Sequence, residues 1–187
     1  MPEIKLLLAS KSPRRAKILS DLGLAFAVAP TDADEICNHA DPGRTVAENA
    51  LRKLKVCMKS NTAAAVIAAD TVVWYAGRIY GKPADIDEAR RFLRELSGHE
   101  HSVFTGVAYY VPGHEPQTEV VESRVAFKDL SADDIARYVK AVNPVDRAGA
   151  YDIDEHGEMI IKGYTGSYEN IMGLPVESVR RMLSLCR

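Results

Sequence analysis

Ile4, Leu6, Leu7 and Leu8 form an apolar run that stops at Ser10-Lys11-Ser12, and from Pro13 onward the apolar positions move to helical spacing at Ile18, Leu19 and Leu22. This predicts a buried strand followed by a helix from Pro13 to about Leu22, with Ser12 as N-cap, Pro13 at the first helical position and Gly23 just past the end. Leu24 to Ala29 reads as a second strand, closed by Pro30. Thr45-Val46-Ala47-Glu48 is a capping box, and Val46, Ala50, Leu54 and Cys57 repeat behind it at helical spacing. Ala63 to Ala69 is continuously apolar, ends in Asp70-Thr71 and resumes as Val72-Val73-Trp74-Tyr75, the pattern of a strand covered on both faces. Ala76-Gly77-Arg78 turns the chain into Ile79-Tyr80, and Gly81-Lys82-Pro83 holds Lys82 on a stiff loop.

Asp85-Ile86-Asp87-Glu88 is a second capping box, opening a helix with Ala89, Phe92, Leu93 and Leu96 inward and Gly98 at its end. His99-Glu100-His101 reads as a loop entering a strand rather than a metal site. Two long strands follow, Ser102 to Val111 and Glu119 to Phe127, whose alternation suits an antiparallel ribbon. Ser131 caps a helix that buries Ile135, Tyr138, Val139 and Val142. Glu158 to Lys162 reads as a short strand, Gly163 to Gly173 as a glycine-rich loop and Pro175 to Leu185 as a closing helix. Helices and strands alternate first and a ribbon comes later, so the class is α/β with a mixed sheet, and 187 residues suit one domain spanning 1–187.

A composition of 47% hydrophobic and 27% charged residues is that of a soluble globular protein, and a net charge of -2 argues against a general nucleic-acid or anionic-membrane binder. Three scattered cysteines, Cys37, Cys57 and Cys186, make neither a disulfide framework nor a metal knuckle, which points to a reducing cytoplasm. No apolar stretch reaches the ~20 residues of a membrane span, and the short N-terminal run lacks a cleavage site.

The candidate chemistry is local. Ser10, Lys11, Ser12, Arg14 and Arg15 cluster at a strand-to-helix turn, where unpaired helix N–H groups favour an anion. The alternative is that Ser12 only caps and the arginines are solvated, although two cations in a first helical turn oppose its dipole. Asp32, Asp34 and Glu35 form an acidic loop, as turn formers or as cation-facing groups. Asp70, inside a core strand, must be paired, coordinated or catalytic unless it caps a neighbouring element. Lys53, near the apolar seam of its helix, is the lysine placed to point inward. Basic groups for phosphates and carboxylates for a hard cation suit phosphoryl chemistry, with Mg²⁺ or Mn²⁺ favoured over zinc. P-loop, Rossmann and nucleophile-elbow motifs are absent.

Leu-Leu-Ala-Ser-Lys-Ser-Pro-Arg-Arg (7–15), Ala-Ala-Asp-Thr-Val-Val (68–73), Gly-Lys-Pro (81–83), Ser-Gly-His-Glu-His-Ser-Val-Phe-Thr-Gly (97–106), Ala-Gly-Ala-Tyr (148–151) and Met-Gly-Leu-Pro (172–175) resemble the Maf family in order and spacing. The resemblance implies two α/β lobes around a central cleft, similar to the inosine triphosphate pyrophosphatases. It also implies hydrolysis of a nucleoside triphosphate to the monophosphate and pyrophosphate, with dTTP and UTP as substrates of the branch having Ser-Pro-Arg-Arg. By position it implies Asp70 as the catalytic carboxylate, Ser10, Arg14, Arg15, Lys53, Thr71 and Lys82 as substrate ligands, and Glu35 with Asp70 as ligands of a divalent cation. Asp154 stands where that branch usually has glutamine; contact with the base would shift its preference, because an ionised aspartate only accepts. The family further suggests a homodimer and, as an alternative to turnover, a nucleotide-binding regulator of septum formation.

Overall fold

The apolar runs assemble into one mixed sheet. In the computed structural model, which describes residues 5–186, the strands are β1 (Leu6–Leu8), β2 (Phe26–Val28), β3 (Ala65–Tyr75), β4 (Arg78–Tyr80), β5 (Glu100–Tyr110), β6 (Gln117–Phe127) and β7 (Ile161–Thr165). Ile4, the first residue of the opening apolar run, lies outside the described residues. The sheet order is β2-β1-β3-β5-β6-β7, with β4 also paired to β3. β1 is parallel to β2 and β3, and all other pairings are antiparallel.

Five of the six helices follow the predicted patterns: α1 (Pro13–Asp21), α2 (Pro42–Met58), α3 (Ile86–Leu96), α4 (Ala132–Val142) and, after the short α5 (Tyr168–Met172), α6 (Val176–Leu185). Ser12 caps α1 through its hydroxyl, and Ser131 forms a reciprocal capping box with Asp134 on α4. β2 is shorter than expected, and β5 and β6 each begin two residues early, at Glu100 and Gln117. Three further differences have a local cause. α2 begins three residues before Thr45, because Asp41 caps it and Pro42 takes the first position; Thr45 instead donates to the Asp41 carbonyl and Glu48 pairs with Arg44. Residues Gly157–Met159 form a 3-10 turn that delays β7 to Ile161. The glycine-rich segment is not a plain loop, since it holds the end of β7 and then α5, capped by Ser167.

The pairing along β3 sets the architecture. β5 covers one edge of β3 from Val66 to Trp74, so β1 and β4 must share the other edge, where β1 pairs with 65–67 and β4 with 73–75. Between them the edge at Ala68–Val72 has no strand partner, and the sheet is open there. On one side of this gap α1 and α6 pack Ile18, Leu19, Val179 and Met182 on one sheet face while α2 packs Ala50 and Leu54 on the other. On the other side α3 and α4 close a separate core around Phe92, Leu93, Tyr138 and Phe127. The long strands β3 and β5 thus run through two lobes, with a cleft where one lobe gives way to the next.

Gly106, directly opposite Asp70 in the β3–β5 ladder, lets α2 lie against β5: a Cβ there would stand 2.3 Å from the Val46 carbonyl oxygen. Gly106→Ala therefore forces α2 off the sheet and lowers unfolding free energy by about 3 kcal/mol or more, read from denaturant midpoints at constant m. His101 is buried, with Nε2 2.9 Å from the Tyr151 hydroxyl, and burial lowers its pKa to about 3. The native state keeps this ring neutral while the unfolded chain protonates it, so stability falls as pH drops from about 6.5 toward 3. His101→Gln should flatten that slope by up to about 1.4 kcal/mol per pH unit relative to the parent chain.

Candidate active site

The opening in the sheet is a cleft of about 550 Å³, within the range of small-molecule sites. Its walls come from the turn between β1 and α1, the loop after β2, one face of α2, the middle of β3, the loop after β4, the segment from Asp146 to Ile153 and the end of α5. Alternation along β3 sends Asp70 toward α2 on one sheet face and Thr71 to the other, where it meets Thr105, which in turn bonds α5.

Asp70 is buried, and its two oxygens have separate partners: Lys53 Nζ lies 2.7 Å from Oδ1, and Asn49 Nδ2 donates to Oδ2 at 3.0 Å. Lys53 also lies 2.7 Å from Glu35 Oε1, so one ammonium joins both carboxylates. Asn49 and Lys53 are four residues apart on α2 and share one helix face, held close by the Val46–Gly106 approach. Asn49 completes its own hydrogen bonds on the acidic loop, accepting from Ile36 N at 2.8 Å and donating to Ile36 O at 3.0 Å. It therefore fixes Asp70 and the position of Glu35 together. Of the three loop acids only Glu35 lines the cleft; Asp32 pairs with Lys11 at the surface.

The opposite wall is a chain of donors and acceptors. Arg15 donates from Nε to Gly173 O at 2.8 Å, from Nη1 to Ser10 Oγ at 3.1 Å and from Nη2 to Thr71 Oγ1 at 3.1 Å. Burial, only partly offset by the nearby Asp70 charge, lowers its pKa to about 10, so it stays charged at neutral pH. Thr105 gives its only hydroxyl proton to Asn170 O, so the 2.9 Å contact with Thr71 is a donation from Thr71. Three of the five Arg15 donors thus brace the wall, and Ser10 and Thr71 are held by it. Gly173, at φ +105°, permits this closeness, since a Cβ there would meet Thr71 Oγ1 at 3.1 Å and Arg15 Nε at 3.4 Å. Arg14 enters the cleft from the same turn, and Lys82 is exposed on a rim loop whose Gly81 carbonyl accepts from Gly149 N.

The structure thus brings together Ser10, Arg14, Arg15, Glu35, Lys53, Asp70, Thr71 and Lys82. It does not bring Asp154 with them. The Asp154 carboxylate accepts from the Tyr168 hydroxyl at 2.9 Å and lies 3.9 Å from Lys17, away from the cleft lining, where Asp152 and Ile153 stand instead. The chain bends after Asp152, and the Tyr168 hydroxyl holds the Asp154 carboxylate outside the cleft.

Asn49 went unseen in the sequence pattern, although an amide inside the apolar seam of a helix is its signal, because such a group must find buried partners. For a divalent cation, Glu35 and Asp70 supply two hard carboxylates converging on one point, while among the described residues no group of three or more His, Cys, Asp or Glu could hold a metal. That donor set fits an ion such as Mg²⁺, which is commonly held by one or two carboxylates together with substrate phosphates and water.

A sheet opened midway along its central strand, with a paired carboxylate and several cations in the opening, defines an α/β protein built to hold a compact anionic ligand. The solved Staphylococcus aureus Ham1 protein shares the fold, with a TM-score of 0.58 over 98% of this chain and 100% of that one at 14% identity. Within that architecture the chain belongs to the Maf-like protein family, whose model matches residues 5–186. Relatives named dTTP/UTP pyrophosphatase include those of Moorella thermoacetica, 39% identical over 97% of this chain and 94% of the relative, and Syntrophus aciditrophicus, 42% identical over 94% and 86%.

Asn49→Ala frees both Asp70 and the Ile36 segment. Turnover of a nucleoside triphosphate should fall by roughly 10–100-fold in steady-state assays.

Proposed function

We propose that this chain hydrolyses nucleoside triphosphates between the α and β phosphates, with dTTP and UTP as substrates, releasing the monophosphate and pyrophosphate. The observation that carries the reading is the Asp70–Lys53–Glu35 cluster, with 2.7 Å contacts on both sides of the ammonium, at the opening of the sheet. Family membership and the names of the relatives support the reaction and the pyrimidine substrates.

In this reading Asp70 accepts the proton of a water as its oxygen attacks the α-phosphorus, and the bond to the bridging oxygen breaks with its electron pair leaving on pyrophosphate. Asn49 and Lys53 each bond one oxygen of the carboxylate, which fixes its orientation and leaves lone pairs on both oxygens for that water. Lys53, Lys82 and the free donors of Arg14 neutralise charge that grows on the departing pyrophosphate. Ser10 and Thr71, braced by Arg15, line the phosphate wall. Glu35 and Asp70 would hold Mg²⁺ or Mn²⁺ together with triphosphate oxygens, and such an ion supplies charge neutralisation and a more acidic water. Among the described residues no helix is long and apolar enough to cross a membrane.

Asp70→Asn should abolish pyrophosphate release from dTTP and UTP while nucleotide binding, followed by calorimetry, persists; a variant with normal turnover would remove Asp70 from the mechanism. Asp154→Gln should leave the ratio of rates on dTTP, UTP and GTP unchanged, because the structure holds that carboxylate on Tyr168 outside the cleft. A changed ratio in the same product assay would return Asp154 to base recognition.

A further inference from the structure

Asp152 is a carboxylate lining a cleft that faces an anionic substrate, and its side chain is only 4% exposed. Its Oδ2 accepts from Arg14 Nη1 at 3.1 Å and from Arg147 Nε at 3.0 Å, and its Oδ1 accepts from Asp154 N at 3.0 Å. Its own N–H donates to the buried Tyr138 hydroxyl at 2.8 Å. Three acceptor positions are in use and almost none of the group is exposed, so it has little capacity left for a ligand. Arg147 does not depend on it alone, since its other nitrogens pair with Asp146 and, at 2.7 Å, with Glu155.

The position in the fold explains what the group does. Tyr151 belongs to the core of the second lobe, whereas Ile153 packs against the core that α1 covers with Ile18 and Leu19. Asp152 therefore stands where the chain crosses from one lobe to the other, anchored to α4 by Tyr138 and reaching Arg14 on the first turn of α1. Arg14 gives it one nitrogen and is 28% exposed, leaving its other donors to the cleft. A guanidinium on a flexible stem loses affinity when it must be ordered on binding, and tethering one corner removes part of that cost.

We propose that Asp152 is a positioning residue that holds Arg14 across the lobe boundary with its free donors aimed at the substrate phosphates. This rests on the reading of Arg14 as a phosphate ligand. Burial and three occupied acceptor positions argue against a direct contact of Asp152 with the base.

The test is a double-variant cycle of Asp152→Asn and Arg14→Gln, with kcat and KM measured on dTTP or UTP and thermal midpoints recorded for each protein. Asp152→Asn should lower kcat/KM about tenfold in the parent chain, chiefly through KM, and by less than about twofold in the Arg14→Gln background. An equal loss in both backgrounds would overturn the proposal, because a general structural role does not require Arg14. An unchanged or increased kcat/KM for Asp152→Asn, beside an impaired Arg14→Gln, would also overturn it while leaving the phosphate reading intact. Should Arg14→Gln alone be fully active, the phosphate reading itself fails. If Asp152→Asn loses its cooperative unfolding transition, Asp152→Ser, which leaves room for a water beside both arginines, takes its place in the cycle.

Discussion

A carboxylate in the middle of a strand covered on both faces must be compensated, and the compensation of Asp70 organises much of this molecule. Leaving such a group without its cation costs about 3–5 kcal/mol, so α2 has to deliver Lys53 and Asn49 to it. Delivery in turn requires α2 to approach β5 at backbone contact, which only Gly106 allows at that point of the ladder. The acidic loop is then fixed as a by-product, through the paired hydrogen bonds of Asn49 to Ile36 and through Glu35 on Lys53. Helix placement, loop placement and the orientation of the candidate catalytic group are one coupled arrangement.

The same economy appears on the other wall. β1 and β4 pair with one edge of β3 at its two ends, so the cleft is made by strands that are too short to meet rather than by an insertion. The backbone at the gap faces the ligand space, and Arg15 ties the turn before α1 to Thr71 and to Gly173. A wall with its donors already placed needs less reorganisation when charge develops on a leaving phosphate.

The division into two cores gives the cleft its boundary. α1, α2 and α6 pack on the first lobe and α3 and α4 on the second, while β3 and β5 run through both. A polar cross-link stands at the boundary, where the buried Asp152 carboxylate takes Arg14 from α1 and Arg147 from the second-lobe segment. Polar links of this kind restrain the lobes while leaving room for an anionic ligand between them.

The elements whose apolar periodicity is internally consistent were legible in the sequence alone: β1 with the Ser12-capped α1, α3 with its seam at Ala89, Phe92, Leu93 and Leu96, the β5–β6 ribbon, and α4 behind Ser131. Local chemistry decides these, since a cap and a buried stripe need no distant partner to be recognised. The α/β class and the candidate status of Asp70 were legible too, the latter because a charge inside an apolar run demands an explanation. The start of α2 was misplaced because two capping signals, Asp41-Pro42 and Thr45-Glu48, lie four residues apart and only packing selects between them. The roles of Asn49 and Asp152, the bracing rather than free state of Arg15, and the exclusion of Asp154 from the cleft were decided by tertiary structure. Each depends on a partner between 14 and 138 residues away, which local sequence pattern does not contain.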